Sequence, residues 1–427
     1  MERAKQIVKS YLIDPFQEKE YSYIGMEFEY PVICLGGEAS FREIGSAFLG
    51  KLVEEYGFRE EIKGTDGYYV RVSRDGDSVS YDYSYGLFEL SMGKQRSLHT
   101  LRARMLPLLK LAQEYYGAYD CILTGVGTRP VKTKNVEYTC DPFYIMIREF
   151  VDRYAEEKDP AKYFPNMFSV QTHIDVPYAN LLETYNLFNR LDFVRGLLFA
   201  NSPDVDEEGN VNYCVRDRMW DRCGIRNTGI YDKRFNSLDE LAEAISQEEI
   251  FVETDGERLY AVKPTRLVDY FADDDTPQES IRLFRSFKRV VLNSYHVLEV
   301  RGDCVQPVKD SFVTAAFHVG IAYNYKKAAE LLERFLAAHR INASNSALRE
   351  MAVTGRAIAE EEDMKILLYR LIDIAKEGLA KRGYGEESLL EPLLERVLHF
   401  TNPAKELHKA LRSGKDIKEI LLRYAEM

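Results

Sequence analysis

Glu27 and Glu29 stand two positions apart in SYIGMEFEY (residues 22–30), inside a run that is otherwise apolar and aromatic. On an extended strand this spacing aims both carboxylates at one face, where like charges repel unless a cation lies between them. Three further stretches repeat the pattern. In GLFELSMG (86–93), Glu89 and Ser91 oppose Phe88 and Leu90, and in HVLEVRGD (296–303), Glu299, Arg301 and Asp303 oppose Leu298 and Val300. In MFSVQTHIDV (167–176), Ser169, Gln171, His173 and Asp175 oppose Phe168, Val170, Thr172, Ile174 and Val176. A period of two is the mark of a strand with two unlike faces.

Glutamate is a poor strand former, so these placements call for a compensating interaction. Periodicity leaves two readings open, a solvated outer face and one shared acid-lined site. Solvated faces usually carry Lys, Thr and Ser with mixed charge; here Arg301 is the one obvious cation among the acids. If the four faces share a sheet, their carboxylates form a hard-oxygen cavity suited to Mg²⁺, with waters and substrate phosphates completing its octahedron. Several carboxylates then imply more than one ion, and with them a nucleoside triphosphate. His173 alone is weak evidence, since a lone strand histidine is more often structural.

Other chemistries find less support. The chain has no GxxxxGK[ST], Gly125-Val126-Gly127 is a lone GxG, and no GxSxG nucleophile elbow occurs. A two-carboxylate glycosidase would need fewer strand-borne acids than these.

The elements that position these residues fall into two regimes. Up to about residue 325, strand-like stretches alternate with amphipathic helices and with loops rich in Gly, Pro, Asn and Asp. Beyond it, segments 326–340, 362–382 and 415–427 carry apolar residues at helical spacing. No Pro/Gly/Ser linker precedes them, so the expected organisation is a catalytic domain over 1–325 and a helical extension over 326–427 packed on it. The spacing of Leu98, Leu101, Met105, Leu108 and Ala112 predicts a helix over 97–116, which Pro107 should kink or break. The stretches 203–209 and 272–279 read as acidic surface loops.

At 427 residues, 45% hydrophobic and 30% charged, the chain has the composition of a globular protein with a substantial core. Its formal net charge of -12 argues against nucleic acid or an anionic membrane as partner. Neither a secretory signal pattern nor a run of about 18 apolar residues is present, so a cytoplasmic location is expected. The six cysteines are scattered without a CxxC pair, which predicts reduced thiols and no zinc knuckle.

IGMEFEY, YGLFELS, FSVQTHIDV, LLFANSPD followed by VRDRMW and RNTG, and LEVRGD occur in that order across residues 20–325. Together they resemble the glutamate–cysteine ligases, most nearly their plant-type branch. The resemblance implies an α+β fold related to glutamine synthetase, a curved antiparallel sheet forming an active-site funnel, flanked by helices. It also implies the reaction: ATP phosphorylates the side-chain carboxylate of glutamate, and the amine of cysteine attacks the acyl phosphate to give γ-glutamylcysteine, the first step of glutathione biosynthesis. By motif position it makes Glu27, Glu29, Glu89, His173 and Glu299 metal ligands for two or three Mg²⁺ ions, with Mn²⁺ as a substitute.

The same carry-over sets Gln171 toward metal and nucleotide, Arg216 on the glutamate α-carboxylate, Trp220 at the wall of the substrate pocket and Arg301 on the transferring phosphoryl group. Read without the resemblance, Arg216, Arg218 and Arg222 are surface ion pairs and Trp220 is core. Where the family pattern has a further glutamate, this chain reads Tyr81-Asp82-Tyr83, so Asp82 stands in with a shorter reach. Nothing legible in the sequence fixes the acceptor pocket or the oligomeric state. A ligase of the same fold using another amine stays open, as does a catalytically silent binding or regulatory homologue.

Overall fold

The computed structural model describes residues 2–36, 39–130 and 136–427. The alternating stretches form one sheet of β1 (Ile24–Cys34), β2 (Arg59–Lys63), β3 (Tyr69–Arg74), β4 (Asp77–Tyr81), β5 (Leu87–Gln95), β6 (Cys121–Leu123), β7 (Ser169–Ile174), β8 (Val290–Leu292) and β9 (Leu298–Cys304). Its order is β8-β9-β7-β1-β5-β4-β3-β2, with β6 on the far end of β1. The pairs are antiparallel, and the four acid-bearing strands lie side by side at its centre. The α+β class and the antiparallel sheet expected from the sequence are therefore present.

One face of this sheet is the core. Met26, Phe28, Leu90, Val170, Thr172, Leu298 and Val300 are buried; the helix Leu98–Gly117 packs against β5 and β1, and the helix Val313–Tyr323, whose residues 313–322 are all buried, against β7. Phe28 packs on Phe312 with ring centroids 5.3 Å apart. The other face carries the acids.

Asp303 corrects the sequence reading. Val300 pairs with Thr172 but Asp303 pairs with Val170, so β9 spends one residue more than β7 between these rungs. Such a bulge flips every later side chain to the opposite face. Asp303 therefore enters the core side, against Arg195 at 3.5 Å and His318 at 3.0 Å, not the acid-lined face.

The segments beyond residue 325 fold as the helices Tyr325–Ala338, Glu361–Arg382 and Ile417–Ala425, with others between. Ala328, Leu332, Leu348, Leu367 and Leu371 belong to the same apolar cluster as the strand residues. The helices Val313–Tyr323 and Glu361–Arg382 cross at Gly320 and Gly378, where a Cβ on Gly378 would lie 1.9 Å from the Gly320 carbonyl oxygen. Only glycine permits this approach. The helix Leu98–Gly117 runs through Pro107 unbroken. Pro107 and Ala103 are exposed, so water can take the carbonyl that proline leaves unpaired.

Gly125 and Gly127 serve packing instead of phosphate binding: a Cβ there would meet the Gln306 carbonyl oxygen at 2.0 Å and the Cys304 Sγ at 2.6 Å. Among the described residues no helix is long and apolar enough to cross a membrane.

Candidate active site

The polar face of the sheet lines a cavity of about 330 Å³, a size suited to a small-molecule ligand. Glu27, Glu29, Asp82, Gln171, His173, Arg216, Trp220, Glu299 and Arg301 all border it. The sheet register explains how they meet. Glu29 lies opposite Glu89, Glu27 opposite both Gln171 and Ser91, and Glu299 opposite His173.

The acids divide into two groups on either side of β1. In the first, carboxylate oxygens of Glu29, Asp82 and Glu89 all lie within 4.8 Å of one another. Asp82 thus reaches the cluster despite its shorter side chain. It sits one residue before Tyr83, whose φ of 62° is an unusual left-handed conformation for a non-glycine residue. Burial pushes the Glu29 carboxyl up to about 7, and burial together with Asp82 pushes Glu89 well above the carboxylate range. Glu29 is held in place by the Ser169 backbone N–H at 2.7 Å and the Gln171 amide at 3.1 Å.

In the second group, His173 Nε2 lies 3.5 Å from Glu27. Burial raises the Glu27 carboxyl, offset in part by His173. Glu299 accepts from a guanidinium at close range, Arg301 at 3.0 Å, and from the Asn293 amide at 2.8 Å. Burial would push its carboxyl up, but Arg301 and His173 outweigh this and hold it below the usual range.

The residues fit hard divalent cations. Three carboxylates, Glu29, Asp82 and Glu89, converge as hard oxygen ligands, and burial raises Glu29 and Glu89 so that a cation between them would be favoured. The buried Asp82 Oδ1 and His173 Nε2 also lack hydrogen-bond partners among the described residues.

Arg216 is buried and not a surface ion pair. Its Nη atoms donate to the Gly302 carbonyl at 3.3 Å and the Arg301 carbonyl at 3.5 Å, and its Nε has no partner among the described residues. Arg218 and Arg222, in contrast, make exposed pairs with Glu350 and Glu156. Trp220 is half-buried at the cavity wall, stacked on Phe287 at 5.0 Å and edge-on to Phe164 at 5.2 Å. The Arg301 guanidinium lies over the same Phe287 ring at 5.1 Å.

Sequence reasoning missed Asn293, Phe287, Tyr144 and Arg71. Tyr144 borders the cavity, and its phenol is raised by burial and then by Asp82. Arg71 lies 4.0 Å from Asp82. Arg71 stands on the alternating strand β3, but no acid marks its polar face, and Asn293, Phe287 and Tyr144 lie off the acid-bearing strands; only the fold brings the four to the site.

This antiparallel sheet with one acid-lined face is a fold that known ligases share. Two solved structures share the fold: a glutamate–cysteine ligase from Francisella tularensis in complex with AMP, at a TM-score of 0.52, 12% identity and coverage of 95% of this chain and 89% of that one, and a bifunctional glutathione synthetase from Pasteurella multocida, at 0.53, 12%, and 99% and 54%. The chain belongs to glutamate–cysteine ligase family 2, whose family model matches residues 32–422. Chloroplastic glutamate–cysteine ligases from Medicago truncatula and Nicotiana tabacum are each 22% identical to it, covering 94% of this chain and 81% and 79% of theirs. It is an ATP-dependent ligase.

Proposed function

We propose that the protein joins the γ-carboxylate of glutamate to the amine of cysteine, with γ-glutamyl phosphate as intermediate, using Mg²⁺ or Mn²⁺ and ATP. The observation that carries this reading is the convergence of Glu29, Asp82 and Glu89 in a funnel that also holds an underused buried arginine, Arg216. Membership of the glutamate–cysteine ligase family supports the same substrates.

Glu29, Asp82 and Glu89 would hold one cation, and Glu27 and His173 a second; Glu299 would join the second on releasing Arg301. When bound, these ions neutralise the triphosphate and favour phosphoryl transfer. Gln171 and the Ser169 backbone keep Glu29 turned into the site. Arg216 offers a planar fork to the α-carboxylate of glutamate. This orients the γ-carboxylate toward ATP, where its oxygen attacks the γ-phosphorus and ADP leaves. Arg301, exchanging Glu299 for the transferring phosphoryl group, stabilises its charge. Trp220, Phe287 and Phe164 screen the acyl phosphate from water until the amine displaces phosphate.

Purified protein with ATP, Mg²⁺ and glutamate is offered cysteine and a panel of other amines while phosphate release is followed, and product mass names the acceptor. Cysteine-dependent turnover giving γ-glutamylcysteine is expected. Turnover with a different amine alone would replace the acceptor assignment, and no glutamate-dependent ADP formation with any amine would overturn the enzymatic reading.

A further inference from the structure

Asp217 follows Arg216 on the short helix Val215–Arg222, yet it points away from the cavity into a buried ion network. Its Oδ2 accepts from Arg349 Nε at 2.9 Å and lies 3.2 Å from Arg289 Nη2. Arg289 also reaches Asp192 at 3.2 Å, so its side chain is held at both tips. The stem of Arg289 lies flat against Gly302: a Cβ on Gly302 would meet Arg289 Cβ at 2.6 Å and Cγ at 2.7 Å. The Arg289 carbonyl accepts the Arg301 backbone N–H at 3.0 Å. Gly302 and Arg301 in turn supply the carbonyls that receive Arg216. A closed path therefore runs from Asp217 through Arg289 to the bulge that aims Arg301, and from that bulge back to Arg216.

We propose that Asp217 is a positioning residue that sets the guanidinium groups of Arg216 and Arg301 together, by anchoring Arg289 against Gly302. The inference rests on the roles given to Arg216 and Arg301 above. The charge on Asp217 is secure: burial would raise its carboxyl, but Arg289 and Arg349 hold it far below the usual range. Arg349 comes from the helix Asn345–Thr354, so a residue well past the sheet contributes to the geometry of the funnel.

A purely structural ion pair would alter stability and leave the two arginines independent. A positioning residue alters glutamate binding and turnover together, and does so through Arg216. Asp217→Asn is therefore expected to raise the KM for glutamate and to lower kcat, each by about tenfold or more, since small misplacements in an active site have effects of this size. In an Arg216→Lys background the same substitution should change the glutamate KM by less than about twofold, because coupled residues are not additive.

Should Asp217→Asn fail to fold, Arg349→Lys, which removes the Nε donor but keeps the charge, carries the same cycle. Arg382→Lys serves as control: it disturbs the buried Arg382–Glu386 pair (2.8 Å) and should lower thermal stability with KM and kcat unchanged. If the Asp217 and Arg216 effects on KM are fully additive, the positioning role is overturned while the reading of Arg216 stands. If Arg216→Lys leaves the glutamate KM unchanged, the substrate role of Arg216 and this inference fall together.

Discussion

Glu29 on β1 lies directly opposite Glu89 on β5, a cross-strand pair of like charges at the centre of the sheet. Such pairs are destabilising unless neutralised. Burial pushes the Glu29 carboxyl up from an ordinary value of 4.5 to about 7 in the folded chain. Between those values the folded state binds more protons than the unfolded one, so stability of the metal-free protein falls as pH rises through this window. The melting temperature without metal should be higher near about pH 5 than near about pH 7.5, and added Mg²⁺ should raise it more at the higher pH. A melting temperature that ignores both variables would count against a cation at this pair.

Glu89→Gln separates stability from activity at the same pair. Burial and Asp82 already favour the neutral form of Glu89, and the amide fixes that side chain neutral, so the metal-free protein should melt at the same temperature or higher. Activity should drop on the order of a hundredfold, with the Mg²⁺ concentration for half activity raised. Calorimetry and a Mg²⁺ titration of turnover measure the two effects side by side.

Arg301→Lys keeps a positive charge but loses the planar fork. Because Arg301 is assigned to the transferring phosphoryl group, kcat should fall by about a hundredfold while the KM for glutamate stays within a few-fold. Steady-state kinetics with glutamate varied at saturating ATP decide it.

Gly378→Ala places a methyl group 1.9 Å from the Gly320 carbonyl oxygen. The two helices would have to separate, at a cost of about 1–3 kcal/mol or more. The unfolding transition measured by denaturant should move to lower concentration as a single step, with loss of activity and loss of helix coinciding, because both helices belong to the core beneath the sheet.

Much of the site was legible because it obeys the simplest rule of strands. Glu27, Glu29, Glu89, Gln171, His173 and Glu299 are found by alternation alone, and all but Glu89 also border the cavity. Asp303 broke the rule through one extra residue at Arg301–Gly302. The glycine inside the strand was the only local cue, and a glycine there marks a bulge or a close approach without saying which. Asn293, Phe287, Tyr144 and the Asp217–Arg349 pair had no comparable signal. Their roles arise from contacts between distant parts of the chain, such as 132 positions between Asp217 and Arg349. The unbroken helix through Pro107 shows the reverse case, where exposure to water softened a strong local rule.

β1 also acts as a ruler. Its two acids serve different halves of the site, yet they are two residues apart on one strand held between β5 and β7. The backbone repeat sets their separation at about 7 Å, a length that side-chain repacking elsewhere cannot adjust. A single residue inserted between Glu27 and Glu29 would turn one of them into the core and leave the other in place. Drift in the surrounding helices is tolerable to such a centre, whereas any insertion or deletion within those three positions is not.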